Sequence, residues 1–183
     1  MTELNESFTE STRYSDYWVK TGGNTWKIDG PNGLHINSSG TLALTGVLPD
    51  AMYNYTAEFE VAKSAGNKNF PALYLGIDKN GNYRNQIAFH NTDNSNGGIL
   101  YRAAVHESQN GVKIGNVEEY KADEYFLVKI QVKDKHVDIY INGKYLATSE
   151  LEVNNSAFVF AYHETNWAYK TDCYIRNFKI TLG

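Results

Sequence analysis

The chain has 183 residues, 42% hydrophobic and 21% charged, with a formal net charge of -4. That length buries a core without staples, so one domain over 1–183 is expected, and the lone Cys173 excludes an internal disulfide. The acidic balance and four scattered Arg exclude nucleic acid and anionic membrane surfaces as partners, and no apolar run approaches the roughly 20 residues of a membrane span.

The opening Met1-Thr2-Glu3-Leu4-Asn5 lacks the basic and apolar regions of a secretory signal. The expectation is a protein that stays inside the cell, or an extracellular or cell-surface module excised from a longer chain. Strand-like alternation then recurs at short spacing with turn residues between, the pattern of an all-β sandwich. The predicted strands are 17–21, 25–28, 34–36, 41–44, 53–62, 72–78, 83–90, 99–105, 125–132, 136–141, 145–149, 157–163 and 173–182. Helical periodicity is confined to 117–124. The clearest turns are 29–33, 78–82 and 91–98, rich in Asn, Asp and Gly.

The segment 125–149 is the most informative. Phe126 to Val132 alternates and ends at Lys133-Asp134-Lys135; His136 to Ile141 alternates again. Asn142-Gly143 then supplies two residues that accept positive φ, as a type I′ hairpin needs. This run resembles the late strands of concanavalin A-like lectin/glucanase sandwiches, a group that includes laminin-G-type modules and several bacterial carbohydrate-binding modules. The first part of the chain (Phe8, Tyr17-Trp18-Val19, then Gly23 to Gly30) and its end (Tyr174 to Ile180) are similar to the same group. The resemblance implies an all-β, two-sheet antiparallel jelly-roll sandwich whose last strand pairs beside the first. It also implies non-catalytic, lectin-like carbohydrate binding, with the concave face of one sheet as the ligand surface.

Alternation sorts the middle strands into two faces. Leu73, Leu75 and Ile77 point inward, leaving Tyr74 outward; Ile87 and Phe89 point inward, leaving Arg84, Gln86 and His90 outward. In 99–105 both faces are partly apolar, and one register leaves Arg102 and His106 outward. In 53–62, Tyr55, Ala57, Phe59 and Val61 point inward and Glu58 and Glu60 outward. If these strands neighbour one another in one sheet, Glu58, Tyr74, Arg84, Gln86, Arg102 and His106 form a polar ligand-binding cluster. Sugars are held by such planar polar groups with an aromatic ring beneath; the bland alternative is a solvated face with Glu–Arg cross-strand pairs. Trp167, beside His163, Glu164 and Tyr169, either stacks on sugar or folds onto the sheet. Trp18 and Trp26 are expected in the core, as is the Cys173 thiol.

Glucanases of the resembling group use a three-carboxylate strand motif. Here only Glu58 and Glu60 stand at i and i+2, roughly 6–7 Å apart. The Trp-rich entry and the Asn142-Gly143-Lys144 hairpin also resemble keto-disaccharide hydrolase-like sandwiches, so a hydrolase of that type is the alternative the resemblance implies. A protein-interaction, surface or phage structural module is the third reading. Asp78-x-Asn80-x-Asn82 copies half of a calcium loop, but Tyr83 stands at its sixth position and Phe89 at its twelfth. The five His lack zinc spacing. No cofactor is expected, with Ca2+ the one candidate and carbohydrate the expected partner.

Overall fold

The computed structural model describes residues 3–9, 18–21, 26–37, 41–44, 54–64, 68–91, 101–106, 112–117, 123–151, 158–162, 164–165 and 169–183. The strands in chain order are β1 (Glu3–Glu6), β2 (Trp18–Thr21), β3 (Lys27–Ile28), β4 (Leu34–Ile36), β5 (Thr41–Leu44) and β6 (Asn54–Lys63). Next come β7 (Lys68–Asn69), β8 (Ala72–Ile77), β9 (Tyr83–Asn91), β10 (Tyr101–His106), β11 (Val112–Val117) and β12 (Phe126–Lys133). The last six are β13 (His136–Ile141), β14 (Lys144–Glu150), β15 (Phe158–Ala161), β16 (Glu164–Thr165), β17 (Tyr169–Thr171) and β18 (Cys173–Leu182).

Two antiparallel sheets form a β-sandwich. One runs β14-β13-β12-β6-β18-β4-β3 with β1 added on β18, and the other runs β11-β10-β9-β8-β15-β5-β2. A small third sheet, β16-β17-β7, contains a parallel pair. The predicted meander is β12-β13-β14, and its turns carry the expected backbone: φ is 55° at Asp134, 48° at Asn142 and 79° at Gly143. Alternation holds where one face meets the core. Phe126, Val128, Ile130 and Val132 are buried on β12, as are Tyr55, Ala57, Phe59 and Val61 on β6.

The last strand does pair with the first, but that first strand is β1, which alternation does not reveal. Glu3-Leu4-Asn5-Glu6 offers one apolar residue, so only the ladder with β18 makes it a strand. β11 is likewise unforeseen, because Gly115 and a register shift opposite Ala103/Ala104 interrupt its pattern. Val117, where a helical turn was expected to begin, closes β11; 118–122 lie outside the described residues. The turn at 29–33 holds a single 3-10 turn, Gly30–Asn32.

The space between the sheets is aromatic. Trp18 lies 5.5 Å from Phe8, 5.8 Å from Phe160 and 5.1 Å from Phe178, and Phe59 meets Phe160 edge-on at 5.1 Å. Trp18, Trp26 and Cys173 are buried, as expected. Truncating such a ring costs about 3–5 kcal/mol, so this cluster holds the two sheets, and hence their outward faces, in place.

Candidate functional site

β8, β9 and β10 are neighbours, so the outward positions expected on them fall on one sheet. Tyr74 opposes Gln86, which opposes His106, and directly opposed positions share a face. The next row is Ala72, Ala88 and Ala104; the row beyond places His90 opposite Arg102. Rows two residues apart stand about 6.6 Å from each other. A polar row across three strands and a polar pair on β9 and β10 therefore flank the alanine row.

Within this face the Gln86 amide nitrogen donates to the Tyr74 hydroxyl at 2.9 Å. Burial pushes the Tyr74 phenol above its ordinary range. Tyr83, which sequence reasoning missed, brings its ring to 5.6 Å from that of Tyr74. Between Tyr83 and Gln86 the buried Asn85 sits at φ 55°, a left-handed conformation uncommon inside a strand.

Arg84 is also on this face, opposite Gly76, but it is engaged. Its Nε and Nη2 donate to Asp78 Oδ2 at 3.0 and 2.7 Å. The same carboxylate accepts from the Asn80 and Asn82 backbone amides at 2.8 and 2.9 Å. Those donors, the Asn82 amide first among them, hold the Asp78 carboxyl far below its ordinary range. The half calcium loop is thus a turn whose carboxylate is occupied by its own chain. Among the described residues no group of three His, Cys, Asp or Glu could hold a metal.

Glu58 is not part of this cluster. β6 lies in the other sheet, between β12 and β18, so the assumption of one shared sheet fails for it. The hydrophobic pattern of 53–62 fixes which residues face inward but carries no information about which sheet they join. Glu58 instead lines a cleft of about 410 Å³ on the eight-stranded sheet, with Glu60, Leu127 and Asn177. Trp167 lies outside the described residues.

Glu60 anchors a network. Its Oε2 accepts from Arg176 Nε at 2.9 Å and from Asn177 Nδ2 at 2.5 Å. Arg176 in turn donates to the Pro31 carbonyl at 3.1 Å and lies 3.6 Å from the centre of the Tyr125 ring. The Tyr125 hydroxyl donates to the Asn32 carbonyl at 2.5 Å. Elsewhere, Ser64 and His35 both donate to Asp172 Oδ1 at 2.8 Å. Hydroxyl and imidazole therefore share one carboxylate oxygen, and the trio lacks the serine–histidine bond of nucleophilic catalysis.

No protein-family profile matches the chain, and no curated protein matches it in sequence. Among solved structures it is similar to carbohydrate binding module CBM66 from Bacillus subtilis, with TM-score 0.59 and 16% identity, over 88% of this chain and 94% of that one. It is also similar to Crh5 transglycosylase, with TM-score 0.71 and 11% identity, over 100% of this chain and 85% of that one. A sialidase gives TM-score 0.69 at 12% identity over 99% of this chain, which spans 18% of the sialidase. At these identities the likeness establishes the fold, a β-sandwich.

Proposed function

We propose that this domain is a non-catalytic carbohydrate-binding module that takes a poly- or oligosaccharide on the outward face of its seven-stranded sheet. One observation carries the reading: phenol, amide and imidazole positions, Tyr74, Gln86 and His106, align in one row across three adjacent strands, with Tyr74 and Gln86 hydrogen-bonded. Such planar groups exchange paired hydrogen bonds with sugar hydroxyls. Arg102 occupies the opposite bank in register, and Trp167, between β16 and β17, is proposed as a stacking edge. The likeness to a carbohydrate binding module over nearly its whole length supports the reading.

Two earlier candidates change role. Arg84 steadies the β8–β9 turn through Asp78, and Glu58 belongs to a different surface. A hydrolase would draw on Glu58 and Glu60, yet Glu60 Oε2 is taken up by Arg176 and Asn177. That anchoring duty competes with proton transfer or nucleophilic attack, which favours the binding reading. The test is a glycan array on the wild-type domain, Gln86→Ala and Arg102→Ala, each with chelator and with added calcium. A glycan class bound by wild type with or without calcium and lost in both variants supports the proposal. Silence of wild type on every glycan, or unchanged binding by both variants, overturns it.

A further inference from the structure

The cleft on the eight-stranded sheet has a chemistry of its own. Glu58 stands in register between Lys129 on β12 and Lys179 on β18, and neither lysine pairs with it. Lys129 turns its ammonium toward the Tyr140 ring, 5.6 Å from its centre, and Lys179 bonds Glu3 at 3.0 Å. Among the described residues Glu58 has no hydrogen bond or ion pair. It is thus a carboxylate whose flanking cations are engaged elsewhere: Lys179, which also lines the cleft, with Glu3, and Lys129 with the Tyr140 ring.

The rest of the cleft is biased the same way. Asn5 Nδ2 donates to Glu3 and Asn177 Nδ2 donates to Glu60, so each amide commits one of its two N–H groups and keeps its carbonyl oxygen. Ser7 Oγ accepts from Thr9 and retains its own proton. Leu127, an exposed apolar side chain, lines the same space. The capacity that remains is therefore mostly acceptor: Glu58 Oε1 and Oε2, Asn5 Oδ1 and Asn177 Oδ1, beside an apolar surface. The matching ligand is rich in donors, positively charged, and apolar on one side. An alkylammonium side chain would leave the two amide oxygens unmet. A sugar bearing a free amine meets them with its hydroxyls.

We propose that this cleft is a second site, specific for N-unsubstituted amino sugars, whose ammonium pairs with Glu58. It goes beyond the neutral-sugar site of the opposite sheet and shares no residue with it. A domain carrying both could bridge two glycan chains, one on each side of the sandwich.

The test is calorimetric titration with fully deacetylated chitosan hexamer at about pH 6, where primary amines are protonated and carboxylates ionised. The N-acetylated chitin hexamer serves as the neutral control. Wild type is expected to bind the deacetylated hexamer at least tenfold more tightly than the acetylated one. Glu58→Gln, which keeps the shape and removes the charge, is expected to abolish that preference. A thermal melt of Glu58→Gln confirms that it is folded. No binding of the deacetylated hexamer by wild type, or equal binding by folded Glu58→Gln, would overturn the proposal. Neither result touches the seven-stranded face, whose test uses neutral glycans and other variants.

Discussion

Gln86 on β9 and Tyr74 on β8 face each other directly, and the amide of the first donates to the hydroxyl of the second at 2.9 Å. The bond fixes both side chains before any ligand arrives, so binding loses less side-chain entropy than a mobile pair would. Gln86→Ala is expected to weaken glycan binding about tenfold, roughly 1.4 kcal/mol, measured by titration with the glycan found on the array. Its stability should fall by only about 1 kcal/mol, the worth of one half-buried neutral hydrogen bond. A stability loss well above this, with affinity unchanged, would make the pair structural.

Gly33 has φ of 94°, and a Cβ there would meet the Ile175 carbonyl oxygen at 2.3 Å and Arg176 Cβ at 2.7 Å. Both contacts are backbone or branch-point atoms that cannot swing aside. Gly33→Ala is expected to destabilise the fold by about 2–4 kcal/mol from strain and overpacking together, read as the shift in urea midpoint. Gly143→Ala, where nothing lies within 4 Å, should cost about 1 kcal/mol from its positive φ alone.

Arg176 joins four elements of the eight-stranded face through Glu60, Pro31 and the Tyr125 ring. Its removal takes the ion pair from the half-buried Glu60, which keeps Asn177, and the cation from the Tyr125 ring. Arg176→Ala is therefore expected to cost about 2–3 kcal/mol. Glu58→Gln on the same face, where no bond is lost, should change stability by less than about 0.5 kcal/mol. Comparing the two melts checks that the network is carried by Glu60.

The Asp78 carboxyl is held far below its ordinary value of 3.8 by the amides and guanidinium around it. Its contribution to stability is complete above that ordinary value, because the unfolded chain is then ionised as well. It fades as pH falls below about 4, since the unfolded state takes up a proton that the folded state resists. Asp78→Asn should flatten this part of the acid limb. Following the Asn80 and Asn82 amide resonances between about pH 2 and 6 would show it, and an unchanged limb in the variant would contradict it.

Much of the fold is written in alternation, because a face packed on Phe59, Phe160 and Phe178 admits only apolar residues. The Asn142-Gly143 hairpin is equally plain, since few other pairs accept two positive φ values. Pairing between distant strands leaves no local mark. Glu58 looks like a neighbour of Arg84 in sequence patterning, yet β6 joins β12 and β18 instead. The same limit hid Arg176 and Tyr125, whose meeting depends on contacts more than 50 residues apart.

The most direct test of carbohydrate binding by the seven-stranded face is amide chemical-shift mapping with the best neutral oligosaccharide from the array. The account predicts perturbations concentrated on Tyr74, Tyr83, Gln86, Arg102 and His106, with Glu58 and Glu60 unmoved. Perturbations confined to the eight-stranded sheet, or absent at saturating ligand, would contradict it.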